Sequence, residues 1–141
     1  YEPQNAYNQT KLATLMFALE LQQRANGTLA SLAAHPGVAR TAIGDARMQQ
    51  APKRLRDRAE MWAFNAMMRW GGQDQDRGAL PLLRAATAPD ARGGEFYGPG
   101  GFQQFSGDPV AVQPSKAAQD AAARNRLSTL SEELTGIRYA F

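Results

Sequence analysis

Tyr7 and Lys11 are the two residues of this sequence whose types and spacing best suit chemistry. Positions i and i+4 of a helix share one face, so a phenol and an ammonium group placed there can act together. A nearby cation favours the phenolate and lowers the pKa of a tyrosine from its ordinary value near ~10. A tyrosine tuned in this way gives or takes a proton near neutral pH. The pair reads as a general acid/base with its electrostatic helper. By itself Y-x-x-x-K is short and frequent, and it equally describes a half-buried Tyr beside a solvated Lys. Its meaning depends on the elements around it.

The element that must carry the pair is a helix over residues 5–25. Leu12, Leu15, Met16 and Leu19 lie at helical spacing, Phe17 and Leu21 extend the apolar surface, and Asn26-Gly27 is a good stop. Residues 28–34 read as a short strand buried on both faces, although their Ala-rich content has weak β propensity. His35-Pro36-Gly37 ends that strand. A Pro-Gly pair alone marks an ordinary turn, and the only His of the chain fits a structural role there. Residues 38–56 look irregular. Residues 57–70 form a helix rich in Met and Trp, including Met61, Trp62, Met67, Met68 and Trp70. Core packing, a lid over an apolar substrate and a surface for a membrane or partner are all open readings of it.

Asp74 or Asp76 caps a further helix over 74–87, with Pro81 in its first turns or at a kink. Residues 95–98 are a short strand, 99–114 a Gly/Pro-rich coil, and 115–135 a last helix stopped by Gly136. Alternation of helices and strands predicts an α/β protein with a parallel sheet. Two strands make a poor sheet on their own, so the pattern asks for partner strands that the sequence does not contain.

Ala6-Tyr7-Asn8-Gln9-Thr10-Lys11 and the apolar residues after it resemble the active-site helix of the short-chain dehydrogenase/reductase family, closest to its retinol-dehydrogenase and protochlorophyllide-reductase-like branch. His35-Pro36-Gly37-Val38-Ala39-Arg40-Thr41 resembles that branch's strand-end segment. Arg92-Gly93-Gly94-Glu95-Phe96-Tyr97-Gly98-Pro99 and Ser131-Glu132-Glu133-Leu134-Thr135-Gly136 resemble its C-terminal strand and last helix. The four segments stand in the right order and cover most of the chain.

The resemblance implies the C-terminal part of a Rossmann-type, doubly wound parallel sheet with flanking helices. It implies hydride transfer between NADP or NAD and a carbonyl or alcohol on a fairly apolar small molecule. Tyr7 and Lys11 would be catalytic and would also touch the cofactor. Pro36, Gly37, Val38 and Thr41 would line the nicotinamide, and residues 38–70 would be the substrate-loop region. A homo-oligomer is also implied. The family's Gly-rich pyrophosphate turn and its upstream Ser and Asn do not occur in this sequence. Gly98-Pro99-Gly100-Gly101 opens into Phe102-Gln103-Gln104-Phe105 and reads as a turn. The expectation is therefore one half of a dehydrogenase domain, with the N-terminal dinucleotide-binding half absent and the 141 residues inactive alone. The alternatives are an inactive fragment of such an enzyme and a non-enzymatic helical protein that uses residues 45–70 on a membrane or acidic partner.

Composition narrows the choice. At 43% hydrophobic residues and a mean hydropathy of −0.48, the chain suits a soluble globular part-domain. It has no Cys, hence no disulfide framework or thiolate nucleophile, and this fits a reducing, cytoplasmic setting. No apolar run reaches the ~18 residues of a membrane span. The net charge of +3 does not call for nucleic acid, since Lys53-Arg54-Leu55-Arg56-Asp57-Arg58 accounts for much of it. One His and no spaced carboxylate set give no metal site.

Overall fold

Asn26 stops the first helix in the left-handed conformation, with φ 44°, and Gly27 follows at φ 90°. The computed structural model describes residues 2–40, 62, 63, 66 and 70–139. Its first helix, α1, spans Pro3–Ala25, starting two residues before the expected position 5. Proline at the first helical position explains the earlier start, because its missing N–H would be unsatisfied there anyway.

The strand expected over 28–34 is only Ala33–Ala34, named β1. Several donors of the residues before it are spent on closing α1. Thr28 N–H donates to the Ala25 carbonyl at 2.9 Å, Ser31 N–H to Gln22 Oε1 at 2.7 Å, and Ser31 Oγ to the Ala18 carbonyl at 2.9 Å. Groups spent on the helix end are not open to a sheet ladder.

Helix α2 spans Gln75–Thr87 with Asp74 at its N-cap, close to the expected 74–87. Pro81 lies inside it and is fully buried. Strand β2 is Phe96–Pro99, one residue later than expected. The stretch 99–114 is not all coil. It holds a 3₁₀ turn at Phe102–Gln104 and a third strand, β3, at Pro109–Ala111. The last helix is also broken: α3 spans Lys116–Gln119 and α4 spans Ala121–Thr135. Asp120 is extended at the break, and its Oδ1 accepts from Ala123 N–H at 3.0 Å. An Asp able to cap a new helix ends the old one.

The sheet order is β1-β2-β3. β1 and β2 run parallel, with Ala33 N–H donating to Glu95 O at 3.1 Å and His35 N–H to Tyr97 O at 2.9 Å. β2 and β3 are antiparallel, pairing Tyr97 with Ala111, Gly98 with Val110 and Pro99 with Pro109. The result is a mixed α/β fold with a small three-stranded sheet, in place of the purely parallel pair the alternation suggested.

The chain divides into two units. One comprises Tyr1–Ala33, Pro89–Phe96 and Val112–Phe141, and the other Ala34–Ala88 and Tyr97–Ala111. In the first, α1 packs against α3 and α4, with Met16, Glu20, Ala25 and Ala118 buried. In the second, α2 packs on β3, and Tyr97, Pro99 and Pro81 are buried. Gly78 of α2 lets the helix approach the segment after β1: an added Cβ would lie 3.0 Å from Ala39 Cβ and 3.5 Å from Pro36 Cβ.

Candidate functional site

Tyr7 and Lys11 share one exposed face of α1, as their spacing requires. Lys11 Nζ stands 5.4 Å from the centroid of the Tyr7 ring, and Tyr7 is 58% exposed. The ammonium therefore sits over the phenol ring, where its attraction to the π face is worth about 0.5–1 kcal/mol in water. The same helical turns are tied by Thr10 Oγ1 donating to Ala6 O at 2.8 Å and Thr14 Oγ1 donating to Thr10 O at 3.0 Å. An exposed phenol beside a cation on one helical face presents a donor, an acceptor and a positive charge to solvent.

Pro36, Gly37 and Val38 belong to the second unit and form one turn directly after β1. Gly37 has φ 65°, a conformation that side chains resist. A Cβ there would also lie 2.5 Å from the Phe105 carbonyl oxygen and 2.7 Å from Pro99 Cγ. Glycine is thus demanded twice, by the backbone and by the protein's own packing. Val38 N–H donates to Phe105 O at 2.8 Å, and Val38 O accepts from Gln73 N–H at 2.8 Å. A bound carboxamide could use the second lone pair of the Val38 carbonyl. It could take the Val38 amide proton only by displacing Phe105. Thr41 lies outside the described residues, as does most of the Met/Trp-rich segment. Within that segment Trp62 and Trp70 are described, and both are exposed.

His35 holds the turn in place, in line with the structural role read for it. Gly37 N–H donates to His35 Nδ1 at 3.2 Å, and His35 Nε2 lies 2.9 Å from Gln104 Oε1. Those partners select the tautomer with hydrogen on Nε2. Burial lowers the His35 pKa below the usual imidazole value, and the bond to Gln104 partly offsets that. Gly98 makes room for the ring, since a Cβ at that position would collide with Nε2.

Two polar residues of this unit carry no signal in the sequence. Gln73 is 4% exposed, and its side chain bonds Pro36 O and Gly107 N–H. Gln104 has φ 59° and reaches His35. Neither belongs to a recognisable motif, and glutamines of this kind are visible only once the turn and the 100–108 loop are placed.

Among the described residues no group of three or more His, Cys, Asp or Glu is arranged to hold a metal ion. No described helix is long and apolar enough to cross a membrane.

A solved structure shares this fold over the whole chain. It is an uncharacterised protein from Mycobacterium paratuberculosis, 32% identical, with a TM-score of 0.68 over 100% of this chain. The chain spans 42% of the length of that protein. No family model matches the sequence, and no curated protein does. The likeness supports the α/β class.

Proposed function

We propose that this sequence is the C-terminal half of a short-chain dehydrogenase/reductase domain that interconverts a carbonyl and an alcohol on an apolar small molecule. The observation that carries the reading is Lys11 Nζ over the Tyr7 ring on an exposed helical face. It is supported by the strand β1 that follows α1, by the Pro36–Gly37 turn that comes one residue after it, and by a parallel partner for that strand. A larger, doubly wound Rossmann sheet and a homo-oligomer belong to the same proposal.

The residues fit a nicotinamide cofactor unevenly. Tyr7 and Lys11 offer an exposed hydroxyl and an exposed ammonium. The turn offers the Val38 carbonyl, while its amide is engaged by Phe105. NADP or NAD, when bound, supplies or accepts the hydride. Tyr7 gives a proton to the substrate oxygen during reduction and takes it back during oxidation. Lys11 contributes donors for the ribose hydroxyls and a positive charge beside the phenol. The sequence has no Gly-rich strand-to-helix turn, so on this reading the pyrophosphate is held by chain outside these 141 residues.

The test is a binding titration of NADPH and NADH against the full-length polypeptide that carries this sequence. A turnover assay with apolar ketones and aldehydes follows it. Saturable binding of either cofactor together with ketone reduction supports the proposal. Failure to bind both cofactors would overturn it.

A further inference from the structure

We infer that Gln73 is a positioning residue that fixes the Pro36–Val38 turn and, through it, the nicotinamide end of the cofactor. This rests on the function proposed above. All four polar atoms of Gln73 are bonded. Its backbone N–H donates to Val38 O at 2.8 Å and its carbonyl accepts from Arg40 N–H at 3.0 Å, forming a parallel bridge with Ala39. Its side-chain Nε2 donates to Pro36 O at 2.8 Å, and its Oε1 accepts from Gly107 N–H at 3.2 Å.

One residue thus holds the carbonyls on either side of Gly37, those of Pro36 and Val38. Its other end ties down Gly107 of the 100–108 loop, and the same loop supplies the Phe105 carbonyl that takes Val38 N–H. The turn is held from two directions, and Gln73 bonds to both.

The position demands a side chain that donates at one end and accepts at the other while neutral and buried. An amide does this. Methionine fills a similar volume and does neither. Glutamate keeps the acceptor for Gly107 but sets a carboxylate oxygen against the Pro36 carbonyl. Gly107 itself is poorly placed to compensate: it sits at φ 122°, and an added Cβ would lie 2.9 Å from Gly101 N. With Pro36 O and Gly107 N–H both deprived of their Gln73 partner, the turn is free to relax away from the shape the cofactor needs.

The experiment compares wild type, Gln73→Met and Gln73→Glu in the full-length polypeptide. It measures KM for NADPH and NADH, kcat, thermal midpoint, and amide hydrogen exchange at Gly107. The expected result for Gln73→Met is a cofactor KM raised about tenfold, the scale of one or two lost hydrogen bonds. Its kcat should stay near wild type and exchange at Gly107 should be faster. A folded Gln73→Met with a lower thermal midpoint but wild-type KM would overturn the inference, because a purely structural residue behaves that way. If Gln73→Met does not fold, Gln73→Glu decides: a raised KM supports the inference and a wild-type KM overturns it. Wild type that binds neither cofactor overturns the proposed function, and this inference with it. That failure shows before any variant is compared, so the two are distinguishable.

Discussion

Arg24 Nη1 lies 2.7 Å from Glu132 Oε1, a bond that joins α1 to α4 across 108 positions of sequence. Behind it stands Glu20, which is 4% exposed, accepts a hydrogen bond from Arg24 Nε at 2.9 Å and forms a looser ion pair with Arg124 Nε at 3.6 Å. The bond to Glu20 is the largest of the effects that raise the Arg24 pKa, with Glu132 adding to it against the cost of burial. Arg124 also reaches Gln23 at 3.0 Å and caps α3 through the Gln119 carbonyl at 3.0 Å. Four charged side chains therefore clamp the helices of the first unit.

Glu20→Ala should unfold this clamp from its buried end. It leaves Arg24 and Arg124 without the carboxylate they share, and breaking a fully buried pair costs about 3–5 kcal/mol. Arg24 keeps some access to water, so we expect about 2–3 kcal/mol, read from the urea midpoint. A midpoint unchanged from wild type would show that the network is solvated and contributes little.

His35 gives stability a pH dependence whose sign is fixed. Its folded pKa lies below the ordinary imidazole value, first through burial. The unfolded chain therefore binds more protons in the window just below pH ~6.5. The contribution is complete above that window and is lost as pH falls through it. Protonation would also set a second N–H against Gly37 N–H, where Nδ1 now accepts. Wild type should lose stability between about pH 7 and about pH 5, and His35→Gln should show a flatter dependence across the same range. Parallel curves for the two proteins would mean that other groups set the slope.

Lys11 is exposed, so its removal should leave the fold intact. Lys11→Ala is expected to weaken binding of the reduced cofactor about tenfold, as for a lost charge-assisted hydrogen bond. The thermal midpoint should stay within about 1–2 °C of wild type, the effect of an ordinary surface substitution. Calorimetric titration and a thermal scan on the same sample check both halves. Unaltered affinity would remove Lys11 from the cofactor site.

Much of the helical framework is legible in the sequence, for physical reasons. The apolar spacing of Leu12, Leu15, Met16 and Leu19 and the Asn26-Gly27 stop mark α1, and Asp74 and Gly136 mark the ends of two other helices. The strands are less legible because they are short and lean on distant partners. β3 is Pro109-Val110-Ala111, with a proline that usually argues against a strand but is tolerated at a sheet edge. The break at Asp120 was equally hidden, since Ser115 and Asp120 are both competent caps and only packing chooses between one helix and two. In the candidate site, Tyr7 and Lys11 follow from spacing alone, because helix geometry brings i and i+4 together. Gln73 and Gln104 do not, since their roles depend on loops that meet far apart in sequence.

The most direct test of the account is turnover of Tyr7→Phe beside wild type in the full-length polypeptide, followed by the absorbance of the reduced nicotinamide. Removing one hydroxyl from an exposed ring should leave the fold and the cofactor affinity nearly unchanged. The account predicts that kcat falls by about 10²–10⁴-fold, the share that a positioned general acid supplies. Tyr7→Phe turning over at the wild-type rate would contradict it.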